Sequence, residues 1–258
     1  MNAAVSTADA FRASWRLALV VGAAASLTIP GVLPYALELL PADKRAMLPS
    51  LAIVVPLQML QGFVLFSLLA WIGLSLGQRL GLDAPLLRGW MAHDAAPPNG
   101  AWWRAVLVGA VLAIVGVAIV VAALDPLLPA PRGGTPPSPT ALQGFLASFY
   151  GGIAEEVQLR LFAMTLVAWL VAGFAGSRRV AIATGVLVAA VAFGALHLPA
   201  AAQVWPLDQV VVARTLFANA LPGVVFGVLY ARHGLEAAIA AHFLADIGLH
   251  VAAPLAAG

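Results

Sequence analysis

The sequence predicts an all-α fold, a polytopic transmembrane helical bundle of about seven spans. Three observations predict it. Hydrophobic residues make up 62% of the chain and charged residues 9%, with a mean hydropathy of +0.98, values outside the range of soluble proteins. Several apolar runs reach the roughly 20 residues that a helix needs to cross a bilayer. The basic residues gather at the ends of those runs, where membrane topology puts them.

Composition also excludes several function classes. There is no cysteine, so disulfides, thiolate metal ligands and a cysteine nucleophile are absent. The net charge is only +2 and no Lys/Arg run exceeds two residues, so no nucleic-acid partner is expected. The N-terminus has no small-residue cleavage site after a short apolar core, and the first apolar run is expected as a retained span.

That first run, residues 17–40, contains Pro30 and Pro34 and is expected to kink. A short polar loop with Asp43, Lys44 and Arg45 follows. The second run, residues 51–76, is long enough to tilt, and Pro56 is placed to bend it. Residues 77–104 are rich in Pro, Gly and charge, with Trp90, Trp102 and Trp103 spaced like an interfacial aromatic belt; DAPLLRGWM within it is expected as a short interfacial helix. The third run is 106–124. The stretch DPLLPAPRGGTPPSPT then forbids a continuous helix. Spans four to seven follow at 141–171, 180–198, 210–230 and 235–253. Two parts are expected: residues 1–140 with about three spans, and residues 141–258 with about four.

Charge sets an orientation. Arg12, Arg16, Arg79, Arg88, Arg104, Arg178, Arg179 and Arg232 fall on one side, whereas Lys44, Arg45 and Arg132 fall on the other. The positive-inside rule makes the first side cytoplasmic, with the N-terminus in. The expected location is a bacterial-type cell (inner) membrane.

The fourth span departs from ordinary lipid-facing composition. GGIAEEVQLRLF places Glu155, Glu156 and Arg160 inside an apolar segment. A charge in the bilayer core costs several kcal/mol (about 2.5–3.5 on insertion scales), so such groups are kept for pairing or for function. On a helix Glu156 and Arg160 are four apart and neutralise each other. Glu155 points about 100° away from them and lacks such a partner. Few other polar groups lie within spans. His197 ends span five, four residues after Phe193, while His242 and Asp246 share one face of span seven with His250 a turn further on.

Each has an ordinary structural reading. An isolated intramembrane histidine can simply bond a carbonyl, Glu156 with Arg160 reads as a buried ion pair, Phe193 as packing, and His250 as an interfacial or supporting group. Gly223 and Gly227 read as a close helix contact without chemistry. The combination carries more. A glutamate, two histidines and an aspartate on three spans can activate water by general base catalysis. The same set, Glu155, His197, His242 and Asp246, also suits zinc with one position open to water, so both a metal-free and a zinc chemistry stand.

Depth is a constraint on bringing them together. Glu155 lies about 14 residues, roughly 21 Å of helix, from the outer start of its span, whereas His197 is near the outer end of its own. Straight helices would not bring these groups level, so either tilt, kinks or shifted boundaries reconcile them or one of the groups lies outside the site.

Glu155-Glu156-x-x-x-Arg160, Phe193-x-x-x-His197 and His242-x-x-x-Asp246, in this order on successive apolar segments, resemble the three motifs of the CPBP intramembrane protease family. That family holds the type II CAAX prenyl endopeptidases of the Ras-converting type and the bacterial Abi proteins of bacteriocin processing and self-immunity. The resemblance covers residues 149–247. It implies a catalytic core in residues 141–258, a catalytic Glu155 activating water with the help of His197, and His242 with Asp246 completing the site by oxyanion stabilisation or, in the metalloprotease description, zinc ligation. Glu156, Arg160 and Phe193 would support them. The family often has asparagine where this chain has Asp246. An amide can donate to an oxyanion, whereas an ionised carboxylate repels it, so Asp246 favours a metal ligand, an orienter of His242 or a protonated carboxyl. The implied partner is a membrane-embedded or lipidated peptide or protein within the lipid bilayer. A non-catalytic immunity or binding protein is the alternative. A proton-coupled transporter, which buried Glu, Arg and His also mark, has no inverted repeat in its favour.

Overall fold

A computed structural model describes residues 7–135 and 137–257, so residues 1–6, the start of the N-terminal stretch read as a retained one, Pro136 of the proline-rich loop and Gly258 lie outside the described residues. Every regular element among the described residues is helical, and seven helical stretches are long and apolar enough to cross a membrane.

The first span is interrupted as its prolines predict. α1 (Thr7–Leu27) stops at Thr28, and α2 (Ile29–Leu39) restarts with Pro30 in its first turn, where a missing N–H costs nothing. The Thr28 hydroxyl donates to the Ala25 carbonyl at 2.6 Å and holds the break. After the short α3 (Ala42–Ala46), α4 (Leu51–Gly77) returns across the bundle and packs along α1. The short helix expected in DAPLLRGWM is α5 (Pro85–Met91), tied down by a bidentate Arg88–Asp83 pair at 2.7 and 2.8 Å and by the Leu87 N–H donating to Glu236. α6 (Gly100–Leu124) starts on an Asn99 cap and runs longer than the apolar core alone suggested.

The fourth span is a 35-residue helical stretch of mixed winding. α7 (Ala141–Phe149) opens on a capping box, the Thr140 side chain accepting from the Gln143 N–H and the Gln143 side chain from the Thr140 N–H. The helix then passes through two π segments, Tyr150–Glu155 and Val157–Met164, before α8 (Thr165–Ala175) resumes α geometry. π turns are rare and gather at functional sites; here they carry Glu155 and Arg160 and flank Glu156. α9 (Arg178–Leu196), the short α10 (Leu198–Val204) and α11 (Gln209–His233) follow, with Ser177 and Asp208 side chains capping α9 and α11. α12 (Leu235–Ile247), a π segment (Gly248–Ala252) and α13 (Ala253–Ala257) end the chain.

The core sits around α12, which packs against α6, α7, α11 and both π segments of the fourth span, while α4 packs on the second of those segments. The helices of residues 1–140 therefore wall the later ones. Gly223 and Gly227 of α11 make the expected close contact: a Cβ at Gly223 would stand 3.1 Å from Ala190 of α9, and one at Gly227 3.1 Å from Val186. Outward faces carry large apolar side chains such as Ile53, Ile119 and Phe174, the surface that lipid would cover.

Candidate active site

The winding of the fourth span sends its two carboxylates to different places. Glu156 is fully buried and turns into the bundle, with Oε1 2.9 Å from Arg160 Nη1 and 2.7 Å from His242 Nδ1. The contact with Arg160 is an ion pair without hydrogen-bond geometry, and Glu156 Oε2 has no hydrogen-bond partner among the described residues. Glu155 is 21% exposed and stands between two imidazoles, with Oε1 3.9 Å from His197 Nε2 and Oε2 3.9 Å from His242 Nε2. Asp246 lies one turn after His242, its Oδ1 3.7 Å from His242 Nε2 and 4.0 Å from His250 Nε2.

Both imidazoles are anchored through Nδ1. His197 caps the end of α9, and its Nδ1 lies 2.8 Å from the Phe193 carbonyl. A carbonyl only accepts, so Nδ1 carries the proton and the Nε2 lone pair faces Glu155. His242 is held likewise by Glu156. Bonds of this kind fix tautomer and ring direction.

Aromatic rings set the planes. Phe226 of α11 stacks on His242 at 4.5 Å with the rings 20° apart, and Phe193 meets the edges of His242 and His197 at 5.7 and 4.8 Å. The Arg160 guanidinium lies over both phenyl rings, 4.7 Å from Phe193 and 5.4 Å from Phe226, and its Nη2 donates to the Gly223 carbonyl at 3.3 Å. Such cation–π contacts stabilise a desolvated cation by about 2 kcal/mol. Phe193 is thus more than packing, and Gly223, expected to make a helix contact alone, also supplies an acceptor for the buried arginine.

The backbone leaves room for these groups. A Cβ at Gly151 would collide with Asp246 Oδ2 and stand 3.3 Å from His242 Nε2, so only glycine lets the fourth span approach α12 this closely. Sequence reasoning missed Gly151, Phe226 and Tyr35, whose hydroxyl is 3.5 Å from His250 Nδ1. The only signal for Phe226 was a bulky ring set between the two contact glycines of GVVFG. His250 is 41% exposed at the edge of the site, 4.0 Å from Asp246.

The depth mismatch resolves in the fourth span. At 35 residues it is about 50 Å of helix against a core of about 30 Å, so distance from its first residue does not measure depth in the membrane.

The donor types suit zinc, but the spacing does not. Bonds of about 2.0–2.2 Å put the ligands of a tetrahedral zinc about 3.3–3.5 Å apart. Here the pairs stand 3.7–3.9 Å apart, the two imidazoles face different oxygens of Glu155, and no group of three among the described residues is arranged to hold a metal ion. The side chains in this arrangement do not form a metal shell, and the chemistry below uses them alone.

A glutamate set between two oriented imidazoles inside a transmembrane bundle defines a candidate hydrolytic site in a membrane protein. A family model described as type II CAAX prenyl endopeptidase Rce1-like matches residues 137–248, a stretch that holds all three motifs. Over those residues the chain is similar to this family of CAAX-type intramembrane proteases, itself of the CPBP group. No curated protein and no solved structure matches the chain.

Proposed function

We propose that the chain is an intramembrane endopeptidase that hydrolyses a peptide bond of a membrane-embedded or lipidated protein or peptide. The observation that supports it is the position of Glu155, 3.9 Å from the free nitrogen of each imidazole. Two acceptors at that separation are too far apart to bond each other and suited to share one water, which at about 2.8 Å from each spans an angle near 90°. The water donates one hydrogen to Glu155 and the other to His197 Nε2.

In the reaction Glu155 takes the water proton as the oxygen attacks the scissile carbonyl carbon. The carbonyl oxygen becomes an oxyanion. His242, whose Nδ1–H is given to Glu156, donates from Nε2 when it carries a second proton, and that form stabilises the oxyanion. Glu155 then returns its proton to the leaving nitrogen and the C–N bond breaks; the water's second proton passes by way of His197 to the amine, and a carboxylate and an ammonium group leave. Asp246 orients His242 and, if protonated, adds a second donor.

Glu156, Arg160 and Phe193 support the site. Residues 141–258 carry the chemistry and residues 1–140 wall the site. The arginine distribution supports a cytoplasmic N-terminus in a bacterial-type cell membrane. The test is cleavage of a membrane-anchored peptide by purified protein in liposomes, read by mass spectrometry. Cleavage is expected to disappear in His197→Ala, and cleavage at the wild-type rate in that variant refutes the role given to His197.

A further inference from the structure

We propose that His250 and Tyr35 are positioning residues for the hydrolytic site and act through Asp246: the Tyr35 hydroxyl sets the His250 ring, and the ring holds the carboxylate that orients His242. The role in turnover rests on the peptidase reading above. Neither residue lies within 137–248.

Both nitrogens of the His250 ring face partners, although the side chain is 41% exposed. Nδ1 is 3.5 Å from the Tyr35 hydroxyl, and Nε2 is 4.0 Å from Asp246 Oδ1. The Tyr35 and His250 rings meet edge to face, with centroids 5.6 Å apart and planes at 74°. An ionised carboxylate only accepts, so the tautomer that suits this setting carries its proton on Nε2 and leaves Nδ1 to accept from the Tyr35 hydroxyl. The ring thereby turns an N–H toward Asp246, across a gap that one bridging water closes. A histidine that only marked the membrane boundary would leave a nitrogen to solvent.

The backbone is built to hold this pair. α7 seats both residues through two consecutive positions. The Gln143 side chain donates to the Pro34 carbonyl at 3.4 Å, next to Tyr35. Gly144 lies against the π segment that carries His250, and a Cβ there would collide with the His250 carbonyl. Tyr35 itself is brought in by α2, the helix that restarts after the break at Thr28.

The need for such a pair comes from the aspartate. Asp246 is 16% exposed, and its Oδ1 faces His242 Nε2 at 3.7 Å and His250 Nε2 at 4.0 Å. Burying a carboxylate costs free energy unless donors surround it, a cost that an uncharged amide at the same place carries to a much smaller extent. Without His250 the carboxylate is left to His242 alone and can swing toward water. His242 then loses the group that orients its Nε2 beside Glu155. The contribution of His250 therefore exists only while residue 246 is a carboxylate.

The test is a double-mutant cycle on purified full-length protein in liposomes, with kcat and KM measured for cleavage of a membrane-anchored peptide. His250→Ala is expected to lower kcat about tenfold with KM within about twofold, and Tyr35→Phe to lower kcat about threefold. His250→Gln, whose amide keeps an N–H, should recover most of the loss. In an Asp246→Asn background, His250→Ala is expected to change kcat by less than about twofold. Loss by the same factor in both backgrounds, or a wild-type kcat in His250→Ala, overturns the proposal while the peptidase reading stands. Thermal unfolding of the same proteins in detergent carries the test without cleavage. His250→Ala should lower the melting temperature when Asp246 is present and leave it in place in Asp246→Asn; equal falls overturn the proposal whether or not the wild type cleaves. Absence of cleavage by wild type would instead sink the peptidase reading and with it the role in turnover, and the unfolding cycle would still decide the contact.

Discussion

His242 Nδ1 lies 2.7 Å from Glu156 Oε1, and this contact turns the opposite nitrogen of the ring toward Glu155. Neighbouring glutamates thereby take different tasks. Glu156 is held by Arg160 and His242 in a dry interior, and Glu155 is left 21% exposed between two imidazoles.

Glu156→Gln is expected to damage the fold more than Glu155→Gln does. It leaves the Arg160 charge buried without its counter-charge, a loss of about 3–5 kcal/mol for a broken buried pair. Thermal unfolding in detergent should show a large fall for Glu156→Gln and a small one for Glu155→Gln. Equal falls would contradict the division of tasks.

Arg160→Lys should not rescue the pair. An ammonium does not reproduce the planar group lying over Phe193 and Phe226 while reaching the Gly223 carbonyl. The same unfolding measurement should show a lower melting temperature for Arg160→Lys, and a wild-type value would deny the aromatic cradle its role.

Gly151→Ala should reduce turnover by about 10²-fold or more, because its methyl group meets Asp246 and His242 and a 1 Å displacement at a reacting centre costs that much. Gly173→Ala, where an added Cβ meets nothing within 4 Å, serves as the control and should leave turnover unchanged. Comparable turnover in the two variants would mean that the approach of the fourth span to α12 is not needed.

Asp246→Asn is expected to keep turnover within about tenfold of wild type, since an amide can both orient His242 and donate to an oxyanion. A zinc ligand would behave otherwise: its loss, and treatment with a chelator, would each abolish turnover. Measuring peptide cleavage by wild type with and without chelator, beside the metal content of the purified protein, separates the two; the 3.7–3.9 Å spacings predict resistance to the chelator.

Much of the fold was legible in the sequence because lipid imposes coarse rules. Run lengths mark the seven spans, Pro30 and Pro34 mark the break at Thr28, and Gly223 and Gly227 mark a helix contact. The ion pair of Glu156 with Arg160 followed from spacing alone. The π winding of the fourth span was hidden, since an i→i+5 pattern uses the same apolar residues as an α-helix. For the same reason depth counted along straight α-helices misplaced Glu155 relative to His197. The stacking of Phe226 on His242 and the approach of Tyr35 to His250 depend on the rotation of α11 and on how α2 leaves its break. Neither rotation is written in a local pattern.

In the proposed reaction Glu155 is the base that activates water, and the rate of peptide cleavage by purified Glu155→Gln tests that role. The amide keeps the shape of the side chain but cannot take a proton, so turnover should fall by about 10²–10⁴-fold while the melting temperature stays near that of wild type. Undiminished cleavage by a folded Glu155→Gln protein would mean that Glu155 is not the base.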